Sequence, residues 1–173
     1  GNWNFDQYYQ QLKARGIDVS PCLQSQPLYL RAEENADGKP TLPGADAEDP
    51  FSYGEHADYM FQFAARYGSR EVLLAQLKLR GDQPVRSGLS YIHSQENWNE
   101  PDKWWRGRHG YFSPFEFAAM CSADYDGHEG ALGETFGIKN ADPDLPMVMA
   151  GLASLNLEYV KGMWLWSRFQ RKS

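Results

Sequence analysis

Four segments with helix-period apolar residues alternate along the chain with three short apolar runs, and this alternation constrains the fold more than any other feature. Phe5, Tyr8, Tyr9 and Leu12 fall at i, i+3, i+4 and i+7, which predicts an amphipathic helix that Gly16 is placed to end. Ile17 to Leu23 then reads as a buried strand. Ala57, Met60, Phe61, Ala64 and Tyr67 mark a second helix closed by Gly68, and Leu89-Ser90-Tyr91-Ile92 reads as a second strand. Ser113-Pro114-Phe115-Glu116 joins a capping box to a proline at the first helical position, so a third helix runs from Phe115 to about Asp124. Met147-Val148-Met149-Ala150 reads as a third strand. Asn156 caps a last helix whose apolar side carries Tyr159, Val160, Met163 and Trp166. Helices that alternate with strands argue for an α/β fold, a parallel sheet with helical crossovers.

The intervals between these elements are unequal. A long polar loop rich in Pro, Gly and Asp spans residues 27–54, far beyond the roughly 4–6 residues of a median connection, which marks it as functional or partly disordered. Residues 69–88 are looser, and 126–144 are polar and Gly-containing. The chain has 173 residues, enough for one domain with a sizeable core. Its net charge of −6, with no basic run, argues against a nucleic-acid partner. No stretch approaches the roughly 20 apolar residues of a membrane span. The start, Gly1-Asn2-Trp3-Asn4-Phe5, lacks the basic region and apolar core of a secretory leader. Cys22 lies in a strand-like run and Cys121 in a helical one, so both are expected to be buried free thiols rather than a disulfide.

The chemistry concentrates in Glu96-Asn97-Trp98-Asn99-Glu100-Pro101-Asp102-Lys103-Trp104-Trp105. A carboxylic acid, Glu100, sits beside an amide able to hold a sugar hydroxyl. Pro101 stops the preceding strand, and two tryptophans follow that can stack on a pyranose ring. With six Trp and ten Tyr, the chain is aromatic enough for a carbohydrate-handling surface, although buried aromatics account for the same count.

Trp98-Asn99-Glu100-Pro101 at a strand end, with Ala65-Arg66-Tyr67-Gly68 at the preceding helix end, resembles the retaining (β/α)8-barrel glycoside hydrolases of clan A, family 39-like. The resemblance implies a partial TIM barrel, about three parallel strands with flanking helices, from helix two to helix five. A complete barrel of this kind needs about 250 residues. The nucleophile of such enzymes lies at the end of strand seven, so this chain would be a central fragment carrying the acid/base half of the site. Its expected partners are then carbohydrate and either the remainder of its own barrel or another copy, because cut strands leave open edges. The resemblance also implies no cofactor and a secreted or periplasmic parent. A non-catalytic carbohydrate-binding protein is the alternative.

Within this reading Glu100 is the general acid/base and Asn99 the ligand of the sugar 2-hydroxyl. Trp104 and Trp105 either stack on substrate or pack the loop. Asp102 binds a sugar hydroxyl or pairs with Arg106, and Gln24 either points into the cleft or is a satisfied core amide. Glu96 either tunes Glu100 by like-charge repulsion or pairs with a base such as Arg15 or Arg66. His93 reads as a satisfied histidine, and His109 as a support for the loop beyond the tryptophans. No zinc motif is present. Asp124-Tyr125-Asp126-Gly127-His128-Glu129 has oxygen ligands spaced as in a calcium loop but lacks the rest of that pattern, so a solvated loop is expected there and no metal.

Overall fold

Three of the four long helices, all but Gly54–Tyr67, begin where a side chain satisfies orphaned N–H groups. A computed structural model describes residues 4–24, 38–42 and 44–172. Asn4 accepts from Gln7 N–H at 3.1 Å and starts α1 (Phe5–Ala14), which Gly16 ends with φ +71°. Asp49 caps a 3-10 turn at Pro50–Tyr53, which runs directly into α2 (Gly54–Tyr67). The first strand, β1, is Gln95–Glu96, and a short helix α3 spans Gly107–Gly110. Ser113 and Glu116 form the reciprocal capping box of α4 (Pro114–Asp126). Two brief elements follow, α5 (Ile138–Ala141) and β2 (Met147–Val148). Asn156 then accepts from the N–H groups of Glu158 and Tyr159 to begin α6 (Leu157–Gln170).

The sheet corrects the sequence expectation. Among the described residues only two strands of two residues each form, parallel, with Gln95 opposite Met147 and Glu96 opposite Val148. The segment expected as the first strand touches β1 at one parallel bridge, Cys22 to Glu96. Leu89 to Ile92, expected as the second, is irregular, and β1 lies three residues beyond it. No partial (β/α)8 barrel of three strands is therefore formed; helices dominate. The physical reason lies in the flanks. Pro21 and Pro146 stand where the ladder would lengthen and have no N–H to donate. Their carbonyls still accept, from Glu96 N–H at 3.0 Å and Gln95 N–H at 2.9 Å, so the segments stay side by side without a continued ladder.

The core has two apolar centres joined by α2. One gathers Tyr53, Ala57, Trp98, Phe112, Phe117 and Met120 with Tyr159 and Trp166 from α6. The other joins Met60, Phe61, Ala64 and Tyr67 to Tyr9, Leu23 and Ile92. All five residues expected on the apolar side of α2 are buried. The stripe of α1 fares otherwise: Tyr9 is buried, whereas Phe5 and Tyr8 lie half exposed. On α6, Tyr159 and Trp166 are buried, but Val160 is 40 % exposed. Gly162 lets α6 meet α4 closely, since a Cβ there would stand 2.6 Å from Pro114 Cβ.

Of the long polar loop, residues 27–37 and 43 lie outside the described residues. The part that follows is pinned by charge. Lys39 Nζ donates to Glu116 Oε2 at 2.9 Å, and Arg108 reaches both oxygens of the same carboxylate, at 2.9 and 2.5 Å. Burial alone would raise the Glu116 pKa, but the hydrogen bonds from Arg108, Lys39 and Ser113 N–H outweigh it and hold the carboxyl at about 2. The cysteines are free, yet they differ from expectation. Cys121 is partly buried and its thiol is pushed up to about 12, first by desolvation. Cys22 is exposed as a residue, because its strand is an edge rather than a core.

Two outcomes follow. A carboxyl depressed in the folded state stabilises fully above its unfolded pKa, and that contribution is lost as pH falls through the folded value. Acid titration should therefore show a stability loss between about 4.5 and about 2 that Glu116→Gln abolishes, at a cost near neutrality of about 2–3 kcal/mol. Gly137 has φ +87°, and a Cβ there would meet Gly127 N at 2.7 Å. Gly137→Ala should destabilise by about 2–4 kcal/mol in urea titration.

Candidate functional site

Two parallel segments end side by side, and Glu100 lies where they end. Its N–H donates to Gly151 O at 2.9 Å, which ties the chain after β1 to the chain after β2. Lys103 N–H returns to Glu100 O at 3.3 Å, so residues 100–103 form a turn. Glu100 is half-buried and has φ +50°, a left-handed backbone that an L residue adopts only when its surroundings impose it. The turn includes Pro101, whose carbonyl accepts from Phe112 N–H at 2.9 Å.

Asp102 does not pair with Arg106. Its buried carboxylate accepts from Ala153 N–H at 2.6 Å, Ser154 N–H at 3.1 Å and Ser154 Oγ at 2.7 Å. The three donors consume most of its accepting capacity, so Asp102 is a clamp on the loop after β2 rather than a ligand for sugar. Glu96 likewise pairs with no cation among the described residues: its Oε1 accepts from Gly151 N–H at 3.2 Å. The bases expected for it are occupied elsewhere. Arg66 donates to both oxygens of Asp6, and Arg15 Nη1 bonds Gln11 O. Asn99 is half-buried and makes no side-chain hydrogen bond among the described residues, which leaves its amide open.

Trp104 and Trp105 are 73 % and 54 % exposed and open a 3-10 turn at Trp104–Arg106. Their rings meet edge to face, centroids 5.9 Å apart. The two indoles are large apolar surfaces left in water a few residues after the half-buried Glu100. Gln24 is exposed, so it is not a satisfied core amide; it adjoins the residues outside the described set. His93 is exposed and tied through its N–H to Val19 O at 2.7 Å, while the His109 carbonyl accepts from Lys39 N–H at 3.1 Å.

The residues that sequence reasoning missed lie behind β1. His56 Nδ1 and Asp124 Oδ1 are 2.8 Å apart, both side chains wholly buried, and Asn97 Nδ2 donates to Asp124 Oδ2 at 3.1 Å. Gln95 Nε2 donates to Met60 O at 3.3 Å along the same seam. Asp124 thus serves the core and not a calcium loop. The other carboxylates of that cluster are also committed, Asp126 to Arg171 and Glu129 to the Lys172 N–H. Parity along β1 was the available signal, since Gln95 and Asn97 alternate with Glu96. Family models, curated protein sequences and solved structures yield no match to this chain.

Asp102→Ala should strand three donors and cost about 3 kcal/mol. Hydrogen exchange at the Ala153 and Ser154 amides should accelerate with it; unchanged protection there would show that the clamp holds nothing.

Proposed function

We propose that the chain handles carbohydrate and carries the acid/base half of a retaining glycoside hydrolase site, with Glu100 as the proton donor. One observation carries this reading: a half-buried carboxyl stands at the joined ends of two parallel segments, in a strained backbone, directly before two exposed tryptophans. A glycosidic oxygen needs a proton as its bond to the anomeric carbon breaks, and a partly desolvated carboxyl at the edge of an aromatic platform can supply it. Asn99 is the candidate to hold the sugar 2-hydroxyl, an interaction that strengthens as positive charge develops on the ring. Retention needs a second carboxylate about 5–5.5 Å away to attack the anomeric carbon. Glu96 shares the strand but is engaged with Gly151 N–H, so that nucleophile is assigned to no residue here.

The exposed indoles also favour a second reading, in which the platform holds sugar and Glu100 does no chemistry. Binding and turnover separate the two. Calorimetric titration with neutral oligosaccharides should show binding that Trp104→Ala weakens by roughly tenfold, as expected for a lost stacking contact of about 1–2 kcal/mol. The chain alone should leave aryl glycosides intact. Turnover that disappears in Glu100→Gln would place the whole site, nucleophile included, on this chain, and would direct attention to Glu96. Absence of any oligosaccharide binding would overturn both readings.

A further inference from the structure

The last helix, α6, is buried along one side only. Tyr159 and Trp166 face the core, whereas Leu157, Val160, Trp164, Leu165 and Phe169 are exposed, Leu157 by 73 % and Phe169 by 81 %. At 3.6 residues per turn these five lie on the side away from Tyr159 and Trp166. Helix steps of three and four join Leu157 to Val160 and Trp164, and a step of four joins Leu165 to Phe169. Phe115 of α4, also exposed, adjoins the row, since a Cβ at Gly162 would stand 4.0 Å from its Cε1. Single apolar residues in water are ordinary, but a contiguous row of them marks an interaction surface.

The charges in this face are ordered along the helix. Glu158 lies in the first turn and Arg168 in the last, about 15 Å apart. Lys161 pairs with Glu158 at 2.9 Å, and both side chains stand largely in water. The Arg168 guanidinium lies over the Trp164 ring, 5.2 Å from its centroid, and no carboxylate among the described residues pairs with it. A face with an acid at one end and a base at the other is its own complement. Turned end for end about a two-fold axis, a second copy sets its Arg168 against Glu158 and its Glu158 against Arg168, while Leu157 meets Phe169. The antiparallel arrangement also aligns the two helix dipoles favourably, and a parallel one would set like charges together. An anionic lipid surface would meet Glu158 as a repulsion and would make no use of this order.

We infer that the exposed face of α6 is a dimerisation surface, which packs antiparallel against the same face of a second copy of this chain. The apolar row supplies the contact and the two Glu158–Arg168 pairs fix its direction. The inference is independent of the carbohydrate reading.

Sedimentation equilibrium of the chain between roughly 1 and 500 μM tests it, and the unaltered chain should dimerise within that range. Arg168→Glu and Glu158→Arg should each raise the dissociation constant at least about a hundredfold, because the two-fold axis counts every reversal twice. Mixing the two variants should restore dimers, since each offers the charge that the other lacks. A variant that merely folds badly would gain nothing from the mixing. Phe169→Ser, which leaves both charges in place, should weaken the dimer as well, whereas Trp104→Ala should leave it unchanged. A chain that stays monomeric throughout would overturn the inference. So would a dimer indifferent to both charge reversals, or one that Trp104→Ala abolishes, since the contact would then lie elsewhere. A monomer that instead sediments with phosphatidylserine vesicles would assign the face to lipid and overturn it too.

Discussion

The buried carboxylate of Asp124 is the contact on which the arrangement of the other elements depends. One oxygen faces His56 on α2 and the other accepts from Asn97 next to β1, so a single side chain of α4 registers two neighbours at once. A sheet this short cannot do that by itself. Two ladder residues on one side and one bridge on the other would leave β1 free to slip, and a slip of one residue would turn Gln95 and Asn97 outward. The seam opposes the slip, because it would break the bond from Asn97 Nδ2 to the buried Asp124 carboxyl. It is not fully satisfied, however. His56 Nε2, Gln95 Oε1, Asn97 Oδ1 and Trp98 Nε1 are buried without a partner among the described residues. Such atoms cost free energy, and the seam holds position at the expense of stability.

With β1 fixed behind, its far end can carry a strained residue in front. Glu100 keeps a positive φ because both sides of its turn are held: Gly151 receives its N–H, and Asp102 grips Ala153 and Ser154 two residues later. The carboxyl is thus displayed on a rigid support built from backbone contacts, and the tryptophans beyond it stay in water. The site resembles a bracket: a fixed strand end, a clamped loop, and an aromatic arm.

The sequence was legible where the physics is local. Caps at Ser113 and Asn156 and the buried face of α2 could be read from spacing, since each depends on neighbours within four residues. The sheet could not. Apolar runs such as Leu89 to Ile92 have the composition of strands, but whether a strand forms depends on which donors a distant segment offers, and Pro21 and Pro146 withhold theirs. The surroundings of Glu100 were less legible. Glu100 was expected at the end of the strand begun by Leu89 to Ile92; that strand does not form, and Glu100 lies in a turn four residues beyond β1. The roles of Asp102, Glu96 and Arg66 were misjudged because their partners, at Ser154, Gly151 and Asp6, are 52, 55 and 60 residues away. The His56–Asp124–Asn97 seam escaped for the same reason: three ordinary polar residues in separate segments announce nothing until the fold brings them together.

Gly162 sets the character of α6. Glycine in a helix interior weakens it by roughly 1 kcal/mol relative to alanine, and α6 also carries exposed apolar residues such as Leu157, Trp164 and Phe169 that favour no isolated helix in water. The same missing side chain that loosens the helix allows its close approach to Pro114. Docking and helicity are therefore one event. α6 is ordered by the surface it rests on, and its detachment from α4 and its melting are the same cooperative step, so the C-terminal element behaves as a single unit that is either seated or unwound.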